Sequence, residues 1–263
     1  MVFAYYPGCT MSTTAQKLDR YARLCASTLG FSLQELPSWQ CCGAVFPLGD
    51  DEIAPKLPAL RALKAAQDMG LPLVTLCAAC FHVIKQVNHL AKNDKDFTQT
   101  VQKYDSSLVY TGGTQVLHYI QVLKQHIGFK ELRKHVVAPL TGQSIGAYYG
   151  CMLLRPSTVL EFDDPENPTI IEELLHTLGA NAAVFPQRNE CCGSYHGIKN
   201  TPLVRQRVCK VINSATAHGA NRLVTACPLC HYNLVSNTGN LRIEYFTQVL
   251  AQALGIKGDE MHD

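Results

Sequence analysis

Leu71-Pro72-Leu73-Val74-Thr75-Leu76-Cys77-Ala78-Ala79-Cys80 is the stretch on which the fold turns, and the chain carries it twice. Its echo is Asn221-Arg222-Leu223-Val224-Thr225-Ala226-Cys227-Pro228-Leu229-Cys230. The run from Leu71 to Leu76 is apolar throughout apart from Thr75. It reads as a strand covered on both faces, as in a parallel sheet. The CxxC that follows opens a helix. There the free backbone N–H groups and the positive dipole end favour thiolates.

Working outward, the first half alternates strands and helices. Val2 to Tyr6 reads as a strand. Leu18, Tyr21, Ala22, Cys25 and Leu29 recur at helical spacing, and Gly30 stops that helix. A strand from Phe31 to Leu36 leads to Cys41-Cys42-Gly43. A helix from Pro58 to Met69, closed by Gly70, precedes the opening stretch, and Cys77 to Leu90 reads as helical. The second half repeats the order, with strands at 145–149, 182–185 and 221–226 and helices at 168–178 and 201–218. Thr201-Pro202 supplies an N-cap and a first-turn proline. The expected fold is α/β: two pseudo-twofold-related repeats, each a small, mostly parallel sheet flanked by helices.

The duplication extends beyond the strands. Ala4-Tyr5-Tyr6-Pro7-Gly8-Cys9 matches Ala147-Tyr148-Tyr149-Gly150-Cys151 if one deletion is allowed, and Gln121-Val122-Leu123 echoes Gln248-Val249-Leu250. The repeats are expected at 1–138 and 143–263, joined near Pro139 and Gly142. The first repeat is longer, by a segment near Asn88 to Thr111. Its Phe97, Val101 and Tyr104 suit a short amphipathic helix, either a surface excursion or a partner-docking cap.

Composition narrows the function. A net charge of +2 without a basic block gives no reason to expect nucleic acid. The N-terminus lacks a signal-peptide layout, and the uncharged apolar run from Leu71 to Ile84 is too short to span a bilayer. A cytoplasmic protein without direct membrane insertion is expected. Neither GxGxxG nor GxxxxGK[ST] occurs. With no flavin, nicotinamide or ATP motif, electrons for redox chemistry must come from another protein.

Ten of the twelve cysteines form two copies of one pattern: Cys9, Cys41, Cys42, Cys77, Cys80, and Cys151, Cys191, Cys192, Cys227, Cys230. The gap from CC to CxxC is 34 residues in both copies, while the first gap is 31 in one and 39 in the other. Each motif cysteine follows an expected strand. Parallel strand ends share the sheet edge at which ligands bind, so distant cysteines can converge there. Twelve cysteines in a reducing compartment argue for metal or redox chemistry over structural disulfides. A single Zn²⁺ takes four ligands, and five thiolates on it would leave a net charge of −3. Several irons relieve this, since adjacent thiolates can bind different irons or bridge two. Iron–sulfur centres at both sites are the first reading, with zinc at one or both as the alternative.

The pattern and the opening Tyr5-Tyr6-Pro7-Gly8-Cys9 resemble the B-type subunit of the CoB–CoM heterodisulfide reductase family, a duplicated CCG cysteine-rich domain protein. Subunits of type-E succinate dehydrogenases and fumarate reductases share this wider pattern. The resemblance implies two noncubane [4Fe-4S] clusters, one on each five-cysteine set, with a small-molecule disulfide reduced to two thiols between them. It implies two partners, a ferredoxin-like iron–sulfur subunit and a flavin-containing subunit, the C-type and A-type members of such a complex. The alternatives are a noncatalytic electron-transfer subunit of a larger redox complex and a zinc-stabilised interaction module.

For proton delivery the candidate is His196, four residues after Cys192, where the first half has Phe46. His82 and His231, close to Cys80 and Cys230, are further histidines that could tune a site. Cys25 and Cys209 lie outside the pattern and are read as structural, and Trp39 as an anchor for the loop before Cys41.

Overall fold

The computed structural model describes residues 1–44, 53–197, 199–237, 239 and 241–256. Phe46, the counterpart of His196, lies outside them. The elements of the first half are β1 (Val2–Tyr5), α1 (Gly8–Ser12), α2 (Gln16–Thr28), β2 (Ser32–Glu35), α3 (Leu57–Met69), β3 (Leu73–Thr75), α4 (Ala78–Asn93), α5 (Lys95–Tyr104), β4 (Val116–His118), α6 (Tyr119–Val122) and α7 (Phe129–Lys134). The second half contains β5 (Ser144–Tyr148), α8 (Ser157–Leu160), α9 (Ile170–Thr177), β6 (Asn181–Ala183), α10 (Thr201–Ala217), β7 (Arg222–Thr225), α11 (Pro228–Asn237), β8 (Arg242–Tyr245) and α12 (Phe246–Ala253).

Both sheets have four strands, all parallel, in the orders β2-β1-β3-β4 and β6-β5-β7-β8. The identical order establishes the α/β duplication. β3 and β7 are buried along their whole length, with Leu73, Val74, Leu223 and Val224 fully buried. In each sheet the chain leaves the first strand toward one edge and returns on its other side. The crevice between β1 and β3, and between β5 and β7, is therefore a topological switch point, where α/β sheets take ligands.

The strand register corrects the sequence alignment. β1 pairs with β3 as Ala4↔Leu73, and β5 with β7 as Gly146↔Leu223. Ala4 thus corresponds to Gly146, Tyr6 to Tyr148 and Cys9 to Cys151, with no deletion. Matching the two Ala-Tyr-Tyr triplets misleads, because Tyr149 stands where the first half has Pro7. Tyr149 has its own partner, donating to the buried Glu172, which pairs with Arg188.

The fourth strands are not among those expected from the sequence: β4 ends in His118, and β8 carries the charged Arg242 and Glu244. Each runs directly into a capping box. At His118 the side chain accepts the Ile120 N–H while Gln121 reaches back to the His118 N–H. At Tyr245 the equivalent reach comes from Gln248. This is the structural content of the repeated Gln-Val-Leu triplets. In the longer first repeat, α5 buries Phe97 and Val101 while Tyr104 faces solvent. The segment joining the halves is not free. Val137 and Ala138 donate to the Ala253 carbonyl, and Leu140 donates to that of Leu178.

Candidate metal centre

Each five-cysteine set gathers at its switch point. In the first, Cys9 opens α1 just after β1, Cys41-Cys42 follow β2, and Cys77 caps the N-terminus of α4, with Cys80 in its first turn. The Cys9 and Cys41 sulfurs are 3.6 Å apart, and those of Cys42 and Cys80 are 3.4 Å apart. Cys41 also meets Cys42, and Cys77 meets Cys80. The second set repeats this, with Cys230 and Cys192 at 3.4 Å and contacts between Cys151 and Cys191 and between Cys227 and Cys230.

Matching tyrosines brace the two sites. The Tyr6 hydroxyl donates to the Gln40 carbonyl at 2.6 Å, and that of Tyr148 to the Glu190 carbonyl at 2.7 Å. Each bond ties the residue before CC to the end of the first strand of its sheet. Trp39 packs edge-on against Tyr6 and donates to Glu35, which fits the anchoring role. Close approach explains two glycines. A Cβ on Gly8 would lie 2.9 Å from the Cys80 sulfur, and one on Gly150 would lie 3.2 Å from that of Cys230. Both have positive φ, so a side chain is disfavoured twice over. Gly8→Ala is expected to cost roughly 1–3 kcal/mol of stability, read by urea unfolding.

The thiols polarise one another. Cys42 is pushed down to about 4 because Cys41 and Cys80 hydrogen-bond to it. Cys191 falls to about 2 through hydrogen bonds from Cys151 and Cys192, and Cys192 rises to about 12 in return. Cys227 is lowered by Cys230 and Cys77, with help from the backbone N–H groups of Cys230 and Leu229 at the helix start. Each set thus presents thiolates among thiols, the form in which cysteine binds metal. Backbone and amide donors complete the second set: Gly193 N–H lies 3.3 Å from the Cys191 sulfur and Asn233 Nδ2 3.6 Å from that of Cys192.

The two sets meet. Cys77 and Cys227 are in contact across the pseudo-twofold axis, so all ten thiols form one series from Cys9 to Cys151. The junction is built from backbone. Ala78 N–H donates to the Ala226 carbonyl at 3.2 Å. The Tyr245 hydroxyl lies 2.6 Å from the Leu76 carbonyl and 3.0 Å from that of Ala226, and His118 Nε2 lies 2.7 Å from the Leu76 carbonyl. His118 and Tyr245 hold equivalent places, opposite Thr75 and Thr225 in their sheets.

His118 is fully buried, and burial lowers its pKa from 6.5 to about 4. Between these values the unfolded chain binds a proton that the folded chain refuses. The stabilisation present above pH 6.5 is therefore lost as pH falls toward 4, by roughly 3 kcal/mol. Urea midpoints at about pH 7 and about pH 4.5 check this, and His118→Gln is expected to flatten the dependence.

The other sequence candidates sit as follows. His196 is exposed on the turn after Cys191-Cys192-Gly193 and does not line the cleft beside the second set. Its neighbour Tyr195 does, together with Met152 and Leu229. Sequence reasoning misses Tyr195, whose only signal is its place three residues after Cys192. His82 and His231 are partly buried, and burial lowers both below the usual imidazole range. Cys25 is fully buried in the core and Cys209 is half-buried.

The cysteine-rich CCG domain matches residues 3–85 and again residues 145–235. The chain belongs to the CCG cysteine-rich domain family. It is similar to the 8-methylmenaquinol:fumarate reductase membrane anchor subunit of Wolinella succinogenes, at 29% identity over 98% of this chain and 94% of that one. It is also similar to the B subunit of the ferredoxin/F(420)H(2)-dependent CoB-CoM heterodisulfide reductase of Methanosarcina acetivorans, at 26% identity over 97% and 90%. A protein of Archaeoglobus profundus named as like the heterodisulfide reductase B subunit is 25% identical over 98% and 92%. In fold the chain matches a hypothetical protein from Helicobacter pylori, with a TM-score of 0.75 and 11% identity, over 98% of this CCG chain and 50% of that structure. Resemblance to the heterodisulfide reductase B subunit therefore holds along nearly the whole chain. Among the described residues, no helix of this CCG protein is long and apolar enough to cross a membrane.

The donor set fits an iron–sulfur group. Each site offers five thiols against the four that one zinc takes, and all twelve cysteines are free of disulfide bonds. Among the described residues, no three His, Cys, Asp or Glu side chains converge on a position for a single ion.

Proposed function

We propose that this chain is the catalytic iron–sulfur subunit of a heterodisulfide reductase-like complex. The observation that carries the reading is the series of ten thiols, two sets of five meeting at Cys77 and Cys227. In this reading the repeats 1–138 and 143–263 each hold one noncubane [4Fe-4S] cluster, on Cys9, Cys41, Cys42, Cys77 and Cys80, and on Cys151, Cys191, Cys192, Cys227 and Cys230. Bound there, the clusters supply one-electron transfers, two of which reduce a disulfide. The overall step consumes two electrons and two protons, breaks one S–S bond and releases two thiols. The chain orients the sites through the Tyr245 and His118 junction, and excludes water with Met152 and Leu229 at the second cleft. His196, exposed beside that cleft, is the candidate to pass protons inward from solvent.

Electrons arrive from partners, an iron–sulfur subunit resembling ferredoxin and a flavin-containing subunit. This accords with the relatives named as subunits of reductases. The first site offers the open rim for docking, because Cys9 and Cys41 are exposed while Cys151 and Cys191 are half-buried. Lack of a membrane-spanning helix among the described residues is compatible with a cytoplasmic location.

The test is anaerobic turnover of the metal-loaded chain with reduced viologen and a small disulfide. Two thiols released per disulfide consumed is the expected result. Viologen oxidation without thiol release, with electrons passing to another acceptor, would instead identify an electron-transfer subunit.

A further inference from the structure

Tyr195 belongs to the second repeat, yet its hydroxyl donates to the Ala44 carbonyl of the first at 2.6 Å. Its other neighbour is the Met152 sulfur, at 4.0 Å. The ring lines the cleft beside Cys151, Cys191 and Cys227. Ala44 closes the turn that begins at Cys41-Cys42-Gly43, where Gly43 takes φ +74°. The amides of Gly43 and Ala44 hydrogen-bond the sulfurs of Cys41 and Cys42 respectively. Aligning the two CCG triplets places Val45 opposite Tyr195. Valine has no hydroxyl with which to offer the reciprocal bond.

We infer that Tyr195 is a positioning residue that fixes the CCG turn of the first repeat, and with it the N–H···S bonds to Cys41 and Cys42, from across the pseudo-twofold axis. The consequence for the first centre rests on the proposal that the cysteines hold redox clusters, whereas the tether itself does not. Donors aimed at cluster sulfurs stabilise the more negative, reduced form and raise the potential. Loosening that turn therefore lowers the potential of the first centre and leaves the second unchanged.

The experiment compares Tyr195→Phe with wild type, and with Tyr232→Phe, an exposed tyrosine on α11, as control. Hydrogen exchange of the Gly43 and Ala44 amides is expected to quicken about fivefold to tenfold in Tyr195→Phe, and not in Tyr232→Phe. Iron content is expected to match wild type, while redox titration followed by electron paramagnetic resonance shows one of two midpoint potentials lowered. Unchanged exchange at Gly43 and Ala44 would overturn the tether, whatever the centres do. Faster exchange with both potentials unmoved would overturn the tuning. If wild type loads no cluster, the functional reading fails, and the exchange result still decides the tether.

Discussion

Cys192→Ser is expected to cut disulfide turnover by about a thousandfold or more while the chain stays folded. Cys192 is buried at the centre of the second set, where it meets both Cys191 and Cys230 and receives the Asn233 amide. A hydroxyl keeps the shape but gives up the soft thiolate donor, so the second site is expected to lose its iron and the first to keep its own. If two centres must act together on one disulfide, losing one removes turnover rather than halving it. The measurement is thiol release per chain alongside iron content. Wild-type turnover in a variant that has lost half its iron would contradict the paired mechanism.

Glu244→Ala is expected to lower the unfolding free energy by about 3–5 kcal/mol, a larger stability effect than that of Gly8→Ala. Glu244 and Arg222 are 5% and 4% exposed, and lie on neighbouring strands of the second sheet. Arg222 Nε donates to Glu244 at 2.5 Å and its Nη2 to Gln252 at 3.0 Å, while Arg242 reaches the other carboxylate oxygen at 2.8 Å. Truncation leaves the Arg222 charge buried and unpaired, and Arg242, mostly solvent-exposed, offers no compensation. The melting temperature is expected to fall by about 10 °C. The double change Arg222→Met with Glu244→Leu should recover most of the loss, because it removes both charges together.

The buried Arg222 and Glu244 also show where a sequence stops being informative. Strand β8 reads Arg-Ile-Glu-Tyr, whose two charged residues give no sign that Glu244 is buried, and β4 ends in the buried His118. Their burial is a property of the assembled sheets, in which Arg222 and Glu244 satisfy each other. By contrast, β3 is legible because residues 71–76 are apolar apart from Thr75, and β7 because Leu223-Val224-Thr225 repeats β3 and a CxxC again follows. The ten cysteines are legible as two sets for a related reason: parallel topology sends every strand end to one edge.

What the sequence does not carry is the contact between the sets. The junction joins Leu76 to Ala226 through Tyr245 and His118, residues separated by up to 169 positions. Tyr195 is hidden likewise, because its bond to Ala44 spans 151 positions. The histidine after it draws attention instead, since imidazole has an obvious proton chemistry, yet His196 faces solvent. Matching identical tyrosines imposes a deletion that the strand register removes, because pairing geometry, not residue identity, fixes correspondence.

The most direct test of the central claim is a count of iron, acid-labile sulfide and zinc per chain, after anaerobic purification. Two four-iron centres on the ten cysteines require about eight irons per chain, with sulfide in similar amount and little zinc. One or two zinc ions per chain without sulfide would contradict the paired iron–sulfur centres, and so would iron sufficient for a single centre only.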